Sequence, residues 1–121
     1  MRVYTSNFAK AKGIEHYSIS VSKPAWDNSV DTIEILAPEW EWVSMWNDVK
    51  DLDDSDPRKI EVQNIYTQKY LKKLEKLGID KIMSVLHNNI VLCCWCSANA
   101  FCHRQILAAF LRSYNIEVKE I

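Results

Sequence analysis

Ile90-Val91-Leu92-Cys93-Cys94-Trp95-Cys96-Ser97-Ala98-Asn99-Ala100-Phe101-Cys102-His103-Arg104 decides the reading of this chain. An unbroken apolar run of strand length gives way to a small-residue stretch. An apolar-periodic segment follows, with Ile106, Leu107, Phe110, Leu111 and Tyr114 on one helical stripe from about residue 99 to 114. The run from Ile90 to Trp95 has the continuous hydrophobicity of a strand buried on both faces, as in the middle of a parallel sheet. All four cysteines fall between Cys93 and Cys102, where that strand hands over to the helix. Backbone N–H groups at a helix start attract anions and lower thiol pKa values, so a site is expected here.

Outward from this block, strands and helices alternate. Arg2 to Phe8 reads as a first strand. His16 to Ser22 alternates, with Tyr17, Ile19 and Val21 on one face and Ser18, Ser20 and Ser22 on the other. Thr32 to Leu36 is read as a short strand. Pro38 in a first turn opens a helix on which Trp42, Val43 and Trp46 share a face. Asp51 to Asp56 reads as an exposed acidic loop. Asp56 as N-cap and Pro57 at the first position start a long helix that Gly78 ends. Asp80 caps a shorter helix through Leu86, and Ile116 to Ile121 closes the chain as a strand. The expectation is a single α/β domain over residues 1–121, with a mainly parallel sheet flanked by helices and strand 90–95 at its centre. In such sheets sites lie beyond the carboxyl ends of strands, which points to Ser22-Lys23-Pro24 and Cys94-Trp95-Cys96 as neighbouring ends.

Bulk properties narrow the function classes. The 121 residues suffice for one core, 48% of them are hydrophobic, and the net charge is −1. Such a chain has no overall field to recruit nucleic acid or an anionic membrane. No apolar run is long enough to span a bilayer, and the first residues lack the apolar stretch of a signal peptide, so a cytoplasmic protein is expected. Clustered cysteines do not make a disulfide framework, which needs cysteines spread along the chain.

The C-terminal block resembles the family called domain of unknown function 488. Its members show an apolar strand ending in Cys-x-Glu, a short loop, and Cys-His-Arg opening an amphipathic helix before a final strand. Cys94 takes the first position and Cys102-His103-Arg104 the second. Tyr4-Thr5 and the strand ending before Lys23-Pro24 are weaker matches. The resemblance implies an α/β fold and brings no established reaction. The family's usual Glu is Cys96 here, and the Asp and Arg often found on its early strand are Ser20 and Ser22.

Cys102 and His103 are the candidate catalytic residues, although neighbours one apart on a helix point in different directions, so His103 is not automatically the base for Cys102. Arg104 is a candidate clamp for a phosphate or carboxylate, against a structural ion pair. Cys94, Cys96 and Lys23 contribute from strand ends, and Trp26 and Trp95 are candidate pocket walls. Cys93 alternates away and reads as core. Zinc-finger and zinc-ribbon spacings are missing. Only Cys94, Cys96 and one of Cys102 or His103 converge, so no bound metal and no cofactor are expected, an open three-ligand site being the exception. The leading functional reading is a pocket for a phosphate- or carboxylate-bearing, nucleotide-like ligand. A non-enzymatic interaction module, using the acidic loop or the aromatic segment 26–46, and a thiol- or metal-dependent hydrolase-like enzyme are the alternatives. Lys69, Lys72, Lys73 and Lys76 read as a solvated helix face, with a nucleic-acid contact as the lesser option.

Overall fold

The computed structural model describes residues 1–22, 24–26, 30–96 and 101–121. Four parallel strands form one sheet in the order β2-β3-β1-β4, with β1 Arg2–Asn7, β2 Tyr17–Ser18, β3 Ile90–Cys94 and β4 Glu117–Glu120. The apolar run therefore does lie inside the sheet. Thr5 pairs with Leu92 on one side of β3, and Ser18 with Cys93 on the other.

Period-two alternation sends β3 side chains to two different cores. Ile90 and Leu92 join the main cluster with Val3 and Val118, under helices α1 Trp40–Val49, α2 Pro57–Leu77, α3 Ile79–Met83 and α4 His103–Ser113. Val91 and Cys93 face the opposite way, into a smaller cluster with Phe8, Ala11 and Val30. All the helical residues of the described core belong to the first cluster. Among the described residues, the second face is closed by the segment after β1 and by Val30, and by no helix. Among the described residues no helix is long and apolar enough to cross a membrane.

Local signals explain most boundaries. The Asp56 side chain accepts the Arg58 N–H at 2.9 Å and Pro57 occupies the first turn of α2. Gly78, at φ +81°, ends that helix in a conformation that side chains disfavour.

Two strands are shorter than the pattern predicts. The alternating segment 16–22 is a strand only at Tyr17–Ser18. The Ser18 hydroxyl accepts the Ser20 N–H at 3.1 Å and donates to the Ser22 carbonyl at 3.4 Å, so local turn bonds replace the ladder. Thr32 makes a single bridge to Ser18, and Glu34–Leu36 then winds into a 3-10 turn in place of a strand. Helix α1 starts at Trp40, with Pro38 just outside it, α3 stops at Met83, and α4 starts at His103.

Candidate functional site

The carboxyl ends of β2 and β3 are adjacent. The Ile19 N–H donates to the Cys93 carbonyl at 3.0 Å, and the Trp95 indole N–H donates to the Ser22 hydroxyl at 3.0 Å. Above these ends opens a groove of about 870 Å³, between Ser20–Ser22, helices α1 and α2, the end of β3 and the start of α4. Its walls are aromatic. Phe101 packs between Trp46, tilted at 4.8 Å, and Tyr66, edge-on at 5.3 Å between ring centroids. Trp40 and Trp95 extend the apolar lining, and Asn47, Lys50, Asp51, Asp54, Lys59 and Gln63 give it a polar rim on which Lys59 is paired with Asp54 at 2.7 Å.

The thiols of Cys94, Cys96 and Cys102 share the floor, all within 4.8 Å of one another. Cys94 points to this side because it continues the Ile90–Leu92 face of β3. Cys102 reaches the same place from the N-cap of α4, where its backbone is extended at φ −156° and ψ 149°. The Sγ atoms of Cys94 and Cys102 approach to 2.7 Å. That extended N-cap also overturns the helix-spacing objection to a Cys102–His103 pair. Cys102 does not follow the helical path, and its Sγ lies 3.6 Å from His103 Nδ1.

The His103 ring is fixed by its second nitrogen. Nε2 lies 2.6 Å from the Ile19 carbonyl, an acceptor, so the proton sits on Nε2 and the Nδ1 lone pair faces Cys102. Burial holds the imidazole below its ordinary pKa, and it is neutral near pH 7. The edge of Tyr70 closes the other side at 5.5 Å between centroids.

The three thiols do not titrate alike. Cys96 is held well below the ordinary thiol range, because Cys102 and Cys94 hydrogen-bond to it, with positive potential from Arg104 and Lys50 opposing the effect of burial. Cys102 is raised well above its ordinary value by donating to Cys94 and Cys96, and by burial. Cys94 is also raised: the Cys102 hydrogen bond lowers it, but donation to Cys96 and burial outweigh that. The thiols titrate as a coupled unit, and the hydrogen bonds from its neighbours favour the ionised form of half-buried Cys96. Cys93, on the far face, is pushed up to about 12 by burial and is a core residue.

Arg104 is not the open clamp that its position after Cys-His suggests. Its side chain is wholly buried and does not line the groove. Nε and Nη2 grip the Glu120 carboxylate at 3.1 and 3.0 Å, and Nη1 donates to Cys94 Sγ at 3.0 Å and to the Cys96 carbonyl at 2.5 Å. Thr5 adds a hydroxyl donor to Glu120 at 2.7 Å. With every arm of the fork occupied, Arg104 ties the β3 end, α4 and β4 together beneath the thiols.

Trp95 lines the groove, whereas Trp26 lies beyond it, edge-on to Trp95 at 5.7 Å and beneath the Lys12 ammonium at 4.7 Å. Lys23 lies outside the described residues. Sequence reasoning missed the α1 and α2 walls. Trp46 reads as part of the Trp42–Val43 helix face, and only the placement of Phe101 between it and Tyr66 reveals a groove.

Comparison with known proteins gives one assignment. The family model DUF488-N3a, described as the active DUF488-N3 subclade, matches residues 12–115. No curated protein and no solved structure matches the chain. The matched span holds the β3-end thiols and the Cys102-His103-Arg104 start of α4 in the family's order, and this chain belongs to the DUF488 family.

Proposed function

We propose that the protein is a thiol-dependent enzyme acting on a planar, phosphate- or carboxylate-bearing ligand of nucleotide-like chemistry. One observation carries this reading. A cluster of three thiols, backed by an imidazole of fixed tautomer, lies on the floor of a groove with aromatic walls. The groove has the size of a small-molecule site. Trp46, Phe101 and Trp95 offer ring faces and edges to a base, and Lys50 at the rim offers a cation to its acidic group.

The chemistry follows from the order of the thiols. Cys96 attacks an electrophilic carbon of the ligand as thiolate and forms a carbon–sulfur bond. The departing group takes the Cys102 proton, leaving the charge on Cys102 near Arg104. His103 Nδ1 orients Cys102 and is free to take up a proton, since the ring is neutral. Arg104 acts through Cys94 and the Cys96 carbonyl as a positioning residue. The description of the matched family model as active is in keeping with this reading.

Alkylation protection tests it. Metal-free protein is treated with iodoacetamide in the presence of a panel of nucleotides and nucleosides, and the labelled cysteine is mapped by mass spectrometry. The expected result is fast labelling at Cys96, slowed by at least one member of the panel and slowed less in Trp46→Ala. Labelling that no member of the panel alters, or first labelling at Cys93, overturns the proposal.

A further inference from the structure

We infer that Cys94, Cys96 and Cys102 form a three-sulfur coordination site for a thiophilic divalent ion of the zinc class, with its fourth position open to the groove. Zinc–thiolate bonds of about 2.3 Å in a tetrahedral shell put the sulfurs about 3.8 Å apart. The three Sγ atoms already lie within 4.8 Å of one another, with Cys94 and Cys102 at 2.7 Å. Coordination therefore asks Cys94 and Cys102 to part by about 1 Å, a change on the scale of a side-chain torsion.

The surroundings suit such an ion. Soft thiolates select zinc-class ions over magnesium or calcium. The Arg104 N–H on Cys94 Sγ, at 3.0 Å, is an outer contact of the kind that orients a ligand atom, and Glu120 in turn fixes Arg104. His103 does not complete the shell. Its Nδ1 lies 3.6 Å from Cys102 Sγ, but His103 does not fall with the three sulfurs in one cluster of ligand atoms, and the Ile19 carbonyl and Tyr70 hold its ring in that position. The groove side of the cluster is where a water or a ligand atom would enter, as in sites that keep one position open. Cys93 is excluded because it points into the opposite core. An occupied site ties up the Cys96 thiolate, so ion binding would also switch off the thiol chemistry proposed above. The coordination itself does not depend on that reading.

The experiment is metal binding to reduced, metal-free protein. Zinc is measured by equilibrium dialysis with elemental analysis, and cobalt is used as a spectroscopic probe of its ligands. About one ion per chain is expected, with sulfur-to-cobalt charge-transfer absorption and with Cys94, Cys96 and Cys102 protected from a thiol reagent in mass-spectrometric mapping. Cys96→Ser, at a half-buried position, should weaken binding by at least about tenfold, while Cys93→Ala should bind as the parent does. Mapping of the protected thiols in the unsubstituted protein decides the matter if a variant misfolds. Absence of stoichiometric binding, absence of the charge-transfer band, or unchanged binding in folded Cys96→Ser overturns the inference. None of these readouts uses a nucleotide or turnover, so failure here is distinct from failure of the alkylation test.

Discussion

The Arg104 guanidinium meets the Glu120 carboxylate through two hydrogen bonds, Nε to Oε1 at 3.1 Å and Nη2 to Oε2 at 3.0 Å. Arg104 is fully buried and Glu120 a third exposed. The pair joins the first turn of α4 to β4, and its third arm reaches the thiol cluster. Such a geometry suits a guanidinium and no other side chain, because one planar group serves a carboxylate, a sulfur and a carbonyl together.

Removing that group should be costly. Arg104→Ala leaves Glu120 without its guanidinium partner, with only the Thr5 hydroxyl still donating to it, and takes the Arg104 N–H from the Cys96 carbonyl and the Cys94 thiol. Breaking a buried pair costs about 3–5 kcal/mol, and the partial exposure of Glu120 places this one near about 3 kcal/mol. Urea unfolding measures it. Iodoacetamide labelling of Cys96 should slow in the same variant, since a positive charge that favours its thiolate is gone. Arg104→Lys should fall between the two. Unaltered stability in Arg104→Ala would contradict the network.

Tyr70 is buried, and its hydroxyl donates to the Leu36 carbonyl at 2.6 Å. Tyr70→Phe keeps the ring against His103 but leaves that carbonyl unpaired. A loss of about 1–2 kcal/mol in unfolding free energy is expected, the scale for orphaning a buried acceptor. A neutral result would mean that water reaches Leu36.

Leu107 lies wholly within the main core, on the sheet-facing stripe of α4. Leu107→Ala should destabilise by about 2–5 kcal/mol, through lost burial plus the cavity left behind. Denaturant titration reports it, and a cost below about 1 kcal/mol would argue against the packing of α4 on the sheet.

Asp56 gives the pH dependence its sign. Its carboxyl lies below the ordinary value of 3.8 because it accepts hydrogen bonds from the Arg58 side chain and backbone. A depressed folded pKa means that the unfolded chain binds the proton first. The stability contribution is therefore complete above the ordinary value and is lost as pH falls through the lowered one. Thermal midpoints followed from pH 6 downward should drop less steeply in Asp56→Asn than in the parent. Parallel curves would show that the cap does not titrate as described.

The α/β class, the long helix with its Asp56–Pro57 start and Gly78 stop, the interior strand, read over 90–95 and formed over 90–94, and the core role of Cys93 were legible in the sequence. Each rests on a local pattern: an apolar period, a cap, or a run of buried strand length. Those signals are written in neighbouring residues, so one chain suffices to read them. The Cys102-His103-Arg104 motif likewise located the cluster. What only the tertiary structure decided was which groups meet there. Arg104 is turned inward because Glu120, sixteen residues on, offers a paired carboxylate. His103 can face Cys102 because the N-cap is extended and the Ile19 carbonyl fixes the ring. The expected strand over residues 16–22 stops at Ser18 because side-chain turn bonds compete with the ladder. The groove exists because α1 and α2 bring Trp46 and Tyr66 to either side of Phe101. Contacts between residues far apart in sequence leave no period or cap behind, and so they are decided by packing alone.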